Sequence, residues 1–145
     1  MKCRRYGIPI SLLMIKIDDY EIINKKFGNH VISLIKKELA LLIKSLLKTG
    51  ICTSIKEKNN ILILTEDSIK ELADLIVKNV KDKEFTTGGD SLKLTLSIGG
   101  ILTSDHLMIS SEILKRVEEI SNLSEKKGGN NIIIEEIQNE KNKQS

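Results

Sequence analysis

Lys16 and Asp18 stand two residues apart at the end of the apolar run ISLLMIKID, and the polar tip Lys56-Glu57-Lys58-Asn59-Asn60 sits between a β-branched arm and an apolar arm. These are the positions whose residue types bear most directly on chemistry. Alternate residues of a strand share a face, so Lys16 and Asp18 project together from the strand's C-terminal end, where pockets in α/β sheets tend to form. A charge at a strand end also simply reaches water, and both residues have that plain explanation. The tip reads as a hairpin turn, because Asn59-Asn60 tolerates the positive φ that tight turns demand. A tip built to hold a metal–triphosphate uses carboxylates as hard oxygen ligands, and glycines where backbone N–H groups approach phosphate. This tip has no glycine, and its only acid, Glu57, lies between two lysines. On these residues the expected function is a non-catalytic one.

The elements that must carry these residues follow from periodicity. After a polar lead with Arg4 and Arg5, Pro9 opens a first strand over residues 10–18, apolar on both faces as a central strand is. Asp18 or Asp19 is placed to cap a short helix over 20–27, closed by Gly28. A longer helix follows over about 30–48, with Val31, Ile35, Leu39, Leu42 and Leu46 at the helical period and Ile32, Ile43 and Leu47 widening the stripe. The hairpin spans residues 50–64. Ser68 and Glu71 form a capping box that opens a helix to about Lys81, with Ile69, Leu72, Ala73, Ile76 and Val80 on its buried side. Residues 85–90 read as a turn, and 92–101 as a strand that alternates and then breaks at Gly99-Gly100. A last helix over about 110–126 ends at Gly128-Gly129 and leads into a strand over 131–135. The order is β-α-α-β-β-α-β-α-β, which predicts an α+β fold with helices packed on a mainly antiparallel sheet. Residues 1–135 read as a single domain and 136–145 as a polar, frayed tail.

Composition narrows the function classes. A chain of 145 residues with 40% hydrophobic residues fills one core. A net charge of only +3, with acids and bases interspersed and 3% aromatics without Trp, argues against a nucleic-acid surface. Cys3 and Cys52 are too few for a disulfide framework or a metal knot, and no signal peptide precedes the first apolar run, so a reducing cytoplasm is expected. The longest apolar stretch, residues 8–15, is far short of the about 20 residues that span a bilayer, so no membrane partner is expected.

Taken together, the segments YGIPISLLMIKIDDYEIINKKFGN, the hairpin, LTLSIGG and KKGGNNIII resemble, in this order and spacing, the GGDEF domain of diguanylate cyclases over residues 5–134. Each segment is weak alone. Gly88-Gly89-Asp90 spells the opening of the family's signature but sits in the turn before the SIGG strand; the signature position is the hairpin tip. The resemblance implies a palm-like nucleotidyl-cyclase fold. In active members it also implies the joining of two GTP molecules into cyclic di-GMP across a dimer.

Carried over position by position, the resemblance implies mostly losses. The metal carboxylate that begins the family's D-x-D pattern falls on Lys16, and the metal-binding acid of the signature loop falls on Lys58. Two magnesium ligands become two cations with no lone pair to give, so magnesium is not expected here and no other cofactor is implied. Activation of the 3′-hydroxyl and neutralisation of the triphosphate would go with the metal. The signature glycines fall on Lys56 and Glu57, and the phosphate-binding lysine and arginine on Glu125 and Gly129. Asn24 matches the base-contacting asparagine, although an Asn near a helix end also commonly bonds local backbone. The aspartate that would complete guanine recognition falls on Ser33. The inhibitory RxxD motif would have its arginine at Leu47 and end at Gly50, so product feedback is not expected. Asp18 survives, and beside Lys16 it reads as an ion-pair or capping residue.

The leading expectation is a catalytically inactive, degenerate GGDEF domain that works as a scaffold for dimerisation or for a signalling-protein partner. The alternative is a metal-independent nucleotide sensor for GTP, ATP or a cyclic dinucleotide, with at most feeble hydrolysis. In it Lys16, Lys56 and Lys58 converge on a phosphate, Asn24 contacts the base, and Asp18 lies alongside. Against it stands the ordinary reading of three lysines as a solvated hairpin tip.

Overall fold

Ser11–Ile17 forms the central strand β1, and every residue of it except Lys16 is buried. The molecule is described by a computed structural model over residues 11–55, 60–86, 89, 91–103 and 111–137. β1 pairs antiparallel with β3 (Asn60–Thr65) on one side and with β6 (Leu96–Thr103) on the other. β2 (Ile51–Ile55) lies antiparallel outside β3, and β7 (Asn131–Ile137) lies parallel outside β6. The sheet order is therefore β2-β3-β1-β6-β7, mainly antiparallel with one parallel pair at an edge.

Four helices are described: α1 (Tyr20–Phe27), α2 (Asn29–Leu46), α3 (Ile69–Asp82) and α4 (Ser111–Lys126). Strand alternation divides them between the two faces of the sheet. Leu13, Ile15 and Ile17 face a large core filled by Ile23 of α1, Ile35, Leu39 and Ile43 of α2, and Ile69, Leu72, Ile76 and Val80 of α3. Leu12 and Met14 face the other way, onto Val117 and Ile120 of α4. The helical stripes expected of α2 and α3 are thus the faces that pack, while Leu41 of α2 stays 64% exposed.

Several local expectations are corrected. The last long strand does not break at Gly99-Gly100 but runs through both to Thr103. The glycines are there because a Cβ on Gly99 would lie 2.3 Å from the backbone nitrogen of Ser121, so only glycine lets α4 lie this close to the sheet. Neither expected side-chain cap is made. Asp19 holds the N-cap position of α1 in a left-handed conformation, and α3 starts after Ser68 on its backbone carbonyl alone, which accepts from Leu72 N–H at 3.0 Å. α2 ends at Leu46, because Leu47 is already extended. The expected turn at 85–90 begins with a two-residue strand, β4 (Phe85–Thr86), paired to β5 (Ser91–Leu92). Fully buried Phe85 anchors this ribbon in the core. β7 continues to Ile137, two residues into the segment expected to fray.

Candidate functional site

The register of β1 decides what surrounds its C-terminal end. Lys16 sits opposite Asn60 on β3 and opposite Ser97 on β6, so the base of the β2–β3 hairpin lies directly beside it. Lys56 and Lys58, at the hairpin tip, lie outside the described residues. The Lys16 ammonium reaches across to α4, donating to Asn122 Oδ1 at 2.7 Å and to Glu125 Oε1 at 3.0 Å. Residues 122 and 125 are three apart on a helix and share a face, which is why both meet one cation. The pair is partly screened by water, with the Lys16 side chain 22% and that of Glu125 40% exposed.

Asp18 is 7% exposed and turns into the molecule. Its carboxylate accepts from the hydroxyl of Thr95 at 2.5 Å, from the hydroxyl of Ser97, and from the backbone N–H of Asn130 at 2.7 Å. The last of these donors comes from the turn after α4, where Gly128, Gly129 and Asn130 all have positive φ. A Cβ on Gly129 would lie 2.7 Å from the Asp18 carboxylate. Glycine is needed there both for its backbone and for the close approach of the acid. Asp18 is therefore neither the ion partner of Lys16 nor the cap of α1; neutral donors from two other segments hold it instead.

Lys16, Asp18, Thr95, Glu125, Gly128 and Gly129 line a cleft of about 600 Å³ between the end of β1, the start of α1 and the α4–β7 turn, with Asp19, Tyr20 and Glu21 on its α1 side and Asn60 on its hairpin side. Burial raises the Tyr20 hydroxyl above its ordinary pKa. Asn24 does not line this cleft. Its side-chain Oδ1 and that of Asn60 are buried with no hydrogen-bond partner among the described residues. Ser33 is exposed on α2. The structure thus brings Lys16, Asp18 and Asn60 to one cleft and leaves Asn24 outside it. Sequence reasoning missed Asn122, Thr95, Ser97 and Asn130. A signal existed for two of them: Thr95 and Ser97 are the polar members of the alternation in LTLSIGG and so share one side of the chain.

A mixed sheet in this order, covered by helices on both faces and open at the end of its central strand beside a hairpin, defines an α+β domain of the palm-like nucleotidyl-cyclase type. The chain belongs to the GGDEF family: the profile described as "Diguanylate cyclase, GGDEF domain" matches residues 1–131. It is 23% identical over 129 residues to diguanylate cyclase A of Treponema denticola, covering 86% of this chain and 35% of that protein. The chain therefore spans about a third of the length of this curated relative. Among solved structures it superposes on the GGDEF domain of FimX from Pseudomonas aeruginosa with a TM-score of 0.80 at 19% identity, covering 92% of this chain and 85% of that one. It also superposes on the diguanylate cyclase SiaD from the same organism, solved in complex with its activator SiaC. There the TM-score is 0.75 at 16% identity, covering 92% of this chain and 53% of that one.

Proposed function

We propose that this GGDEF domain makes no cyclic di-GMP and works as a regulatory module that docks a signalling protein or a second copy of itself. The observation that carries the reading is the ion pair between Lys16 and Glu125. By resemblance these positions belong to a metal-binding acid and a phosphate-binding lysine. Here the signs are exchanged and the two side chains neutralise each other across the cleft. The residues present do not fit a magnesium ion. Lys16 offers an ammonium where an oxygen ligand is needed, and both oxygens of the Asp18 carboxylate already accept hydrogen bonds. Among the described residues no three His, Cys, Asp or Glu are grouped to hold a metal. Docking a protein has a parallel in SiaD, which is bound to an activator. No described helix is long and apolar enough to cross a membrane.

One observation favours the alternative of a metal-independent nucleotide sensor. The buried Oδ1 of Asn24 lacks a donor among the described residues, and the N–H edge of a base would supply one. The same reading needs the Lys16 ammonium for phosphate, and Glu125 with Asn122 already holds it. Incubation of the purified chain with GTP and Mg²⁺ or Mn²⁺ tests the main proposal, with no cyclic di-GMP expected. Turnover that disappears in Lys16→Ala or Asn24→Ala would overturn it. Calorimetry with GTP, ATP and cyclic di-GMP, with and without EDTA, tests the alternative. Saturable binding that survives EDTA supports the sensor, and no heat supports the docking module.

A further inference from the structure

We infer that the outer edge of β7 is a homodimer interface, at which two copies of the chain join their sheets through antiparallel β7 strands. β7 ends the sheet on one side, with β6 as its one strand partner among the described residues. Its register with β6 runs unbroken from Asn131 to Ile137, and it contains no proline, lysine or bulge, the usual devices that blunt an edge. Ile132, Ile133, Ile134 and Ile137 are only half-buried. The helices leave this edge clear. α4 packs chiefly on β6, and α3 on β6 and β1. Joined edge to edge, the β6 strands of two copies would stand three strand spacings apart, about 14 Å, whereas packed helices need only about 8–10 Å. Helices on neither face therefore block the approach.

The strand is also complementary to itself in one register. The N–H of Ile132 turns to the side chain of its neighbour, donating to Asn131 Oδ1 at 2.9 Å. An N–H that does so faces away from the adjacent strand, and alternation then turns the backbone groups of Ile134 and Glu136 outward as well. A two-fold axis at Ile134 would set both glutamates against isoleucines. An axis at Ile133 instead sets Ile132 opposite Ile134 of the second copy, where their outward N–H and C=O groups exchange hydrogen bonds. It also sets Asn131 opposite Glu135 of the second copy. There a carboxylate meets an amide that can donate to it, and no two carboxylates oppose each other. Glu135 keeps its own Arg116 partner meanwhile. This match of the strand to its own reverse favours a second copy as the occupant over a foreign strand. The inference rests on the reading of the domain as a docking module and names its partner.

Sedimentation equilibrium of the whole chain is expected to show reversible dimerisation, with hydrogen exchange at the amides of Ile132 and Ile134 slowing as protein concentration rises. In a Cys3→Ser, Cys52→Ala background, Ile133→Cys lies on the axis. The Cα atoms of such a non-hydrogen-bonded pair are about 4.5 Å apart, so a disulfide can close between the copies. Mild oxidation is expected to give a covalent dimer from Ile133→Cys and none from Ile137→Cys, which shares the face but lies a full turn of the pleat further from the axis. Ile133→Lys sets two ammonium groups against each other and is expected to weaken the dimer at least about tenfold. A chain that stays monomeric at every concentration overturns the inference. So does slow exchange at Ile132 and Ile134 that does not change with concentration, which would mean that the edge is covered within one chain. A dimer that Ile137→Cys cross-links as readily as Ile133→Cys also overturns it, by placing the contact elsewhere. The cyclic di-GMP assay on the same samples separates the failures: turnover sinks the inactive reading, whereas a silent assay on a monomeric chain sinks only the edge dimer.

Discussion

Asp18 shows how a surviving acid can lose its expected role without losing its use. Its carboxylate takes three hydrogen bonds from residues 77, 79 and 112 positions away in the chain. It closes the end of β6 and the α4–β7 turn around β1. Asp18→Asn keeps the shape but replaces a charged acceptor with a neutral amide, so the hydrogen bonds from Thr95 and Asn130 weaken and the Ser97 hydroxyl must turn from donor to acceptor. The expected loss is about 2 kcal/mol of unfolding free energy, read from urea denaturation. An unchanged midpoint would show that the acid is not a structural tie. Lys16 is different, because it and Glu125 are reached by water. Lys16→Ala is expected to cost only about 0.5 kcal/mol in the same measurement.

At the scale of elements, Asp67 ties two turns together. Its carboxylate accepts from Lys48 N–H at 2.8 Å and from the Thr49 hydroxyl at 2.8 Å, joining the loop after α2 to the one before α3. Burial works against its ionisation, but the hydrogen bonds from Lys48, Thr49 and Thr65 together outweigh it and hold the carboxyl below its usual range. A carboxyl whose pKa is lowered by folding stabilises the folded state above its unfolded pKa and loses that effect as pH falls through the folded value. Stability is therefore expected to decline from about pH 4 downward more steeply in the wild type than in Asp67→Asn. Parallel curves from thermal unfolding at stepped pH would refute the tie. Gly99 sets a second constraint at this scale. Gly99→Ala pushes a methyl group into the backbone of α4, and chemical denaturation is expected to show a loss of about 3 kcal/mol. Between α4 and β7 the guanidinium of Arg116 makes a bidentate pair with Glu135. The hydrogen bond to Glu135 raises the Arg116 pKa further, so the guanidinium keeps its charge at every accessible pH.

For the whole molecule the question is whether one residue separates this domain from a working cyclase. Lys16→Asp restores an acid at one position but sets it against Glu125, which has then lost its cation, and Asp18 remains engaged by its three donors. Lys16→Asp is therefore expected to yield no cyclic di-GMP from GTP and Mg²⁺, measured by chromatography of the products. Turnover restored by that single change would show that the exchanged ion pair is the only lesion and that the rest of the site is intact.

Much of the fold was legible in the order of residues, because burial on one face or two imposes a period of 3.6 or 2 that survives without knowledge of any neighbour. The runs 10–18, about 30–48 and from Ser68 to about Lys81 announced β1, α2 and α3 in this way, and the exchanged signs at Lys16 and Glu125 followed from the resemblance to the family. What surrounds those charges belonged to the tertiary structure. Lys16 meets Glu125 across 109 positions, and Asp18 meets Asn130 across 112. Such meetings depend on strand register and on three successive positive φ angles at residues 128–130. No local pattern encodes which side chain a turn will bring back to a strand end, because that choice is made by the packing of the whole sheet against its helices.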